Sequence, residues 1–197
     1  GRIIKQATCE QKNNALLTAA STIRLSAKKI LKANSLDMKL ANKKGLKKSL
    51  IDRLYIGDDR LEGGALGLEN VANLPDPVGQ TIKSWEQPNG LKISQVRVPL
   101  GVIGIIYESR PSVTADAGSL CLKSGNAAIL RSGSESFHTS QAITDCLHFG
   151  LESANLPDSC IQLVPTRNRD AVGHLLTMTD FIDVIVPRGG KSLVERI

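Results

Sequence analysis

Aromatic residues are scarce in this sequence: one Trp, two Tyr and three Phe among 197 residues. That is too few for the row of stacking rings on which single-stranded nucleic acid is bound. Long apolar runs are missing as well. The longest, Val98 to Tyr107, falls short of the ~20 residues that cross a bilayer as a helix, so no membrane partner is expected. The opening residues Gly1-Arg2-Ile3-Ile4-Lys5-Gln6 hold neither an initiator Met nor a signal-peptide core. A chain that is not secreted, and that is a piece of a longer or tagged protein, is the expectation. Cys9, Cys121, Cys146 and Cys160 lie 112, 25 and 14 residues apart with no Cys-x-x-Cys pair, and His138, His148 and His174 complete no zinc spacing. Reduced thiols, a cytoplasmic location and no metal are expected. No two of the 17 glycines stand two apart, so Gly-x-Gly-x-x-Gly occurs nowhere, and Walker A is absent too.

What is present fits an ordinary globular chain, 41% hydrophobic and 22% charged. That composition excludes a disordered tail, a collagen-like fibre and a disulfide-stapled miniprotein. The formal net charge of +6 is unevenly placed: residues 1–60 carry 14 Lys and Arg against five acidic residues, and residues 61–197 carry 11 against 14. A basic half invites a nucleic-acid reading. Its lysines at Lys39, Lys43, Lys44, Lys47 and Lys48 interleave with Leu40, Leu46 and Leu50, which favours a solvated helical surface and no nucleic acid.

Three regions follow along the chain. Residues 1–77 read as helical. Leu16, Ala20, Ile23, Ala27 and Ile30 predict one helix from Gln11 to Lys32. A short helix from Leu40 stops at Gly45, another carries Leu46, Leu50 and Leu54, and a fourth is capped by Asp58 or Asp59 with Leu61, Leu68 and Val71 inward. Gly63, Gly64 and Gly67 within this last helix cost about 1 kcal/mol each relative to Ala. Leu74-Pro75-Asp76-Pro77 ends the helical part. Residues 78–98 read as two extended stretches, Val78 to Trp85 and Leu91 to Val98, around the turn Gln87-Pro88-Asn89-Gly90. Residues 99–197 alternate strand and helix: strands Val102–Tyr107, Ala127–Leu130, Cys160–Val164 and Ile182–Val186, helices Pro111–Ser124, Glu135–Leu151 and Arg169–Met178. A further helix opens at Gly189-Gly190. This alternation predicts an α/β fold with a Rossmann-type parallel sheet of about four strands.

Ligands of such sheets bind beyond the carboxyl ends of the strands. That rule selects Tyr107 to Pro111, Arg131 to Glu135, Pro165-Thr166-Arg167, and Pro187-Arg188-Gly189-Gly190. Three of these carry an arginine and two carry glycine at a helix start, which suits an anionic, nucleotide-like ligand. Arg131 stands where an arginine accommodates the 2′-phosphate of NADP; a surface arginine at a strand end is the plain alternative.

The stretch Arg97-Val98-Pro99-Leu100-Gly101-Val102-Ile103-Gly104-Ile105-Ile106-Tyr107-Glu108-Ser109-Arg110-Pro111 resembles the start of the cofactor domain of the gamma-glutamyl phosphate reductase family. Ser119 to Ala127, Ile129-Leu130-Arg131, Val186 to Gly190 and Leu74 to Gly79 are similar to it too. That family lies within the aldehyde dehydrogenase superfamily. The resemblance implies an aldehyde-dehydrogenase-like fold with a helical region at 1–77, a hairpin-like segment at 78–98 and an incomplete NADP-binding domain at 99–197. It implies NADPH-dependent reduction of L-glutamyl 5-phosphate to glutamate 5-semialdehyde with release of phosphate, in proline synthesis. A cysteine thiolate attacks the acyl phosphate and hydride reduces the thioester; that cysteine is expected beyond Ile197. The family pattern puts Arg131, Ser132, Gly133 and Glu135 near the adenosine ribose, and Pro187, Arg188, Gly189 and Gly190 near the pyrophosphate. It puts Glu108, Ser109 and Arg110 at the substrate pocket, with Arg110 meeting a carboxylate or phosphate. Ser134 precedes Glu135 where the family often has Lys. A homo-oligomer is implied, with glutamate 5-kinase as a candidate partner or fused half.

None of the four cysteines reads as the nucleophile. Cys121 shares a stripe with Ala117 and Leu120, Cys146 follows Ala142 and Ile143, Cys160 begins a strand at the end away from the ligand, and Cys9 sits in the helical region. The chain alone is therefore expected to be inactive. The rival readings are a non-catalytic nucleotide-binding or assembly module, and nucleic-acid binding by the basic first 60 residues.

Overall fold

The computed structural model describes residues 1–195 and 197. Five helices come first: α1 (Arg2–Lys5), α2 (Cys9–Leu25), α3 (Ala27–Lys43), α4 (Lys48–Leu54) and α5 (Asp58–Asn73). A capping box opens α2, with Thr8 Oγ1 accepting from the Gln11 amide at 3.1 Å and the Gln11 side chain accepting from the Thr8 amide at 3.0 Å.

The helix expected over Gln11–Lys32 is two helices, broken at Ser26 (φ −91°, ψ 10°). The apolar phase runs through the break unchanged, so periodicity could not reveal it. The helix expected to start at Leu40 is the last turn of α3, because the inner face of α3 is carried by the buried polar residues Asn34 and Asp37. Those two positions interrupt the apolar pattern without interrupting the helix. The stop at Gly45 is as expected. Neither Asp58 nor Asp59 caps α5; Gly57 is the cap, and both acids lie in the first turn, where they suit the helix dipole. The buried face of α5 is Leu61, Ala65, Leu68 and Ala72, with Val71 only half-buried.

A two-stranded antiparallel ribbon follows, β1 (Thr81–Glu86) and β2 (Lys92–Val96), closed by the Gln87 amide donating to the Leu91 carbonyl at 2.9 Å. Both strands are solvent-exposed along nearly their whole length.

The main sheet has four parallel strands, β3 (Val102–Tyr107), β4 (Ala127–Arg131), β5 (Ile161–Leu163) and β6 (Val184–Arg188), in the order β5-β4-β3-β6. Helices α6 (Ser112–Lys123), α7 (Phe137–Ser153), α8 (Asp170–Thr177) and α9 (Lys191–Val194) each follow one strand. Alternation along β3 splits the core: Ile103, Ile105 and Tyr107 join the large cluster with α2, α5, α6 and α7, while Ile106 faces Leu175 and Ile182 on the other side. The helices of 1–77 thus form an outer layer over α6 and α7. The crossing of α2 and α7 is tight enough that a side chain at Gly150 would meet the backbone and Cβ of Ala19 within 3.0 Å. Lys123 reinforces the layer by donating to Asn13 Oδ1 at 2.6 Å and the Ala72 carbonyl at 2.8 Å. Among the described residues no helix is long and apolar enough to cross a membrane.

Candidate functional site

The chain runs outward from β3 through β4 to β5 and then returns to place β6 on the other side of β3. This reversal opens a crevice at the carboxyl ends of the strands. A cavity of about 430 Å³ lies there. Glu108 and Ser109 after β3, Arg131 at the end of β4, and Gly133, Ser134 and Glu135 after it form its polar wall. The two loops touch: a side chain at Gly133 would stand 2.8 Å from the Ser109 backbone nitrogen, so only glycine admits this approach.

Glu135 is the polar centre of the crevice. Its Oε2 accepts from Ser109 Oγ at 2.9 Å and its Oε1 from Ser134 Oγ at 2.7 Å, with Lys44 Nζ of the segment after α3 at 3.4 Å. Burial pushes this carboxyl upward, but the two hydroxyls, a backbone amide and Lys44 outweigh it and hold the pKa below the usual range.

Arg131 is buried, at 6% exposure. Its Nη1 donates to the Ser132 carbonyl at 2.5 Å, and its Nη2 reaches the carbonyls of Asn168 at 3.2 Å and Arg167 at 3.4 Å. The guanidinium therefore anchors the loop before α8, while Nε is buried without a hydrogen-bond partner among the described residues. Burial lowers the Arg131 pKa and nearby Glu135 opposes that shift. Tyr107 forms the floor, its hydroxyl bonded to Thr114 Oγ1 at 2.8 Å and pushed by burial to about 12.

Pro187 to Gly190 adjoin the crevice from β6 without lining the cavity. The Gly190 amide donates to Glu108 Oε1 at 2.6 Å, so Glu108 already holds one of the amides expected to face an anion. Arg167 lies over the Phe137 ring, 5.2 Å from its centroid. Arg110 departs from Glu108 and Ser109: it faces a second cleft, between α4, α5 and the start of α6.

Several lining groups carried no motif in the sequence. Leu46, Leu50 and Leu54 close the crevice from the helical region, and Arg169 and Val172 close it from α8. The leucines were visible only as an apolar stripe whose partner was unknown, and Lys44 only as one cation in a basic run.

Three thiols, Cys121, Cys146 and Cys160, are buried, and burial raises all three pKa values, that of Cys121 to about 11. The stripe expected to bury Cys121 is corrected in one respect: Leu120 is exposed, whereas Cys121 and Leu122 are both buried in the large core cluster. Cys9 is exposed. Gln11 next to it bonds the Ala154 carbonyl at 3.4 Å. That contact fixes the start of α2 at the far end of α7, away from the crevice.

A parallel sheet in this order, with helices after each strand and an outer helical layer, defines an aldehyde-dehydrogenase-like α/β fold. A propionaldehyde dehydrogenase from Clostridium phytofermentans shares it with a TM-score of 0.73 at 17% identity, over 99% of this chain and 41% of that one. The chain is homologous to the amino-terminal portion of gamma-glutamyl phosphate reductases. It is 59% identical over 197 residues to that reductase from Rhodospirillum rubrum, covering all of this chain and 46% of the relative. It is 56% identical over 196 residues to that from Paramagnetospirillum magneticum, again covering 46% of the relative. The crystal structure of gamma-glutamyl phosphate reductase from Thermotoga maritima superposes with a TM-score of 0.95 at 37% identity, over 99% of this chain and 47% of that one. The chain thus spans about half the length of the relatives it matches. No protein-family model matches it.

Proposed function

We propose that this chain forms the nicotinamide-cofactor-binding part of a cytoplasmic reductase that converts L-glutamyl 5-phosphate to glutamate 5-semialdehyde with NADPH and releases phosphate. The observation that carries the reading is the crevice at the β3/β4 ends, joined to the 59% identity with a reductase of that name. The residues present fit a dinucleotide. Glu135 offers a carboxylate for ribose hydroxyls, and Arg131 offers a buried Nε that has no partner among the described residues. Lys44 and Arg169 add positive charge at the rim for a 2′-phosphate. A pyrophosphate at Gly189-Gly190 competes with Glu108 for the Gly190 amide. The bound cofactor supplies hydride; the chain binds and orients it.

The nucleophilic cysteine of this reading is none of Cys9, Cys121, Cys146 and Cys160, and lies in residues other than these 197. Residues 1–77, 78–98 and 99–197 serve as helical cover, ribbon and cofactor unit. The exposed ribbon is the element offered for assembly into a homo-oligomer. Titrating the chain with NADPH, and with duplex and single-stranded DNA at two salt concentrations, tests the reading. Saturable NADPH binding that survives physiological salt supports it. DNA binding that survives the same salt with no NADPH signal overturns it.

A further inference from the structure

We propose that the outer face of α3 is a docking surface for an acidic amphipathic helix of another protein. The face is narrow and its charge is of one sign. At 3.6 residues per turn, Lys28, Lys32, Leu36, Lys39, Leu40 and Lys43 fall within roughly a third of the helix circumference and run for about 22 Å along it. All six are exposed. The single acidic residue of α3 is Asp37, which is buried on the inner face. Nearby, Lys29 and Lys44 are bound to Asp145 and Glu135. Among the described residues Lys28, Lys32, Lys39 and Lys43 have no such ion pair.

Lysines alone make a solvated surface; the leucines among them are what ask for a partner. Leu36 and Leu40 are 46% and 38% exposed, whereas Leu46 and Leu50 of the same basic stretch turn into the crevice. Turning α3 cannot bury them. Asn34 and Asp37 fix its inner face through bonds to the backbone of Leu54 and Ile56 and to Thr139. Four residues apart, the two leucines lie one above the other on the helix surface. With Lys32, Lys39 and Lys43 beside them, they form a short apolar seam with charged flanks, the pattern by which helices pair side by side. The helix that fits carries apolar residues in its seam and Asp or Glu at its flanks.

A second copy of this chain does not supply that complement. Its net charge is +6, Glu62 and Glu69 are taken by Arg24, Asp76 by Lys12 and Asp145 by Lys29. Nucleic acid gives the leucines nothing to pack on, and the stripe holds no arginine or aromatic residue to read it. Binding to a lipid surface scales with the apolar area buried, and two leucines are a short row for that. The face is separate from the crevice and does not rest on the reductase reading.

The probe is a synthetic helical peptide of Glu, Ala and Leu with its leucines on one face; the control has the same residues with the leucines scattered. Labelled peptides are titrated with the 197-residue chain and followed by fluorescence anisotropy. At physiological salt the patterned peptide is expected to bind about tenfold tighter than the scattered one. Leu36→Ser with Leu40→Ser is expected to abolish that difference while the scattered peptide binds as before. Lys32→Gln, Lys39→Gln and Lys43→Gln together are expected to weaken both peptides and flatten the salt dependence. Both variants change exposed positions only, so the melting temperature and the NADPH titration are expected to stay those of the parent chain. Equal binding of the two peptides, or a preference that survives the serine substitutions, overturns the proposal. So does tighter binding of duplex DNA or of phosphatidylserine vesicles than of the patterned peptide at the same salt. The parent chain's own NADPH titration reports on the nucleotide reading alone, so either claim can fail without the other.

Discussion

The carboxylate of Asp37 on α3 accepts from both the amide of Thr139 at 2.8 Å and its hydroxyl at 2.6 Å, closing the first turn of α7 across 102 residues of sequence. The His138 amide donates to the same carboxylate at 3.2 Å. A residue of the basic helical half therefore caps the helix that begins at the crevice, and Asn34 one turn earlier ties in Thr139 and the backbone of Leu54 and Ile56.

Replacing Asp37 by Ala leaves buried donors of α7 without acceptors, at a cost of about 3 kcal/mol. Urea unfolding checks this: the midpoint is expected to fall with an unchanged slope. A midpoint equal to that of the parent chain would show the cap is unimportant.

The pair of Lys12, at 1% exposure, and Asp76, 2.6 Å apart, predicts a pH dependence. Burial acts to raise the Asp76 carboxyl, but bonds from Lys12 and the Val78 amide prevail and its pKa is lowered. A carboxyl depressed in the folded state stabilises the fold fully above its unfolded pKa, about 3.9, and the contribution is lost as pH falls through the lower folded value. Asp76→Asn strands a buried ammonium and is expected to cost about 3 kcal/mol at pH 7. The difference from the parent chain should shrink below about pH 4, where the parent loses the same charge. Unfolding curves at pH 7, 4 and 3 read this directly.

Much of the sheet was legible because its signals are local. Apolar runs such as Val102–Tyr107 and breakers such as Gly125 place strands and helix ends closely, and the strand-end rule then picks out Ser109, Arg131 and Glu135. The helical half was less legible. Asn34 and Asp37 serve their helix with hydrogen bonds to segments far along the chain, so they register in the sequence as polar gaps. The division of Glu108 and Ser109 from Arg110 between two clefts depends on where α4 and α5 pack, which no local pattern encodes.

Arg131 is expected to favour NADPH over NADH. Arg131→Ala should weaken NADPH at least tenfold more than NADH. Arg131→Lys should restore the preference while lowering the melting temperature, since an ammonium cannot hold the carbonyls of Ser132, Arg167 and Asn168 together. Fluorescence titration and thermal unfolding of the two variants separate charge from anchoring; equal losses for both cofactors in Arg131→Ala leave only the anchor.

The thiols predict a simple titration. A disulfide reagent at neutral pH should modify Cys9 alone in the folded chain, and all four cysteines after unfolding. With semialdehyde, phosphate and NADP⁺ the chain alone should form no NADPH. Turnover abolished by modifying any of these thiols would place the nucleophile among them.

The claim on which the rest depends is that the crevice between the β3 and β4 loops receives the dinucleotide. Two-dimensional amide NMR of the 197-residue chain during titration with NADPH tests it most directly. The account predicts saturable shifts at Ser109, Gly133, Ser134 and Glu135, the groups joined through the Glu135 carboxylate. Unmoved amides there, with shifts confined to the lysine-rich surface around Lys39 to Lys48, would contradict it.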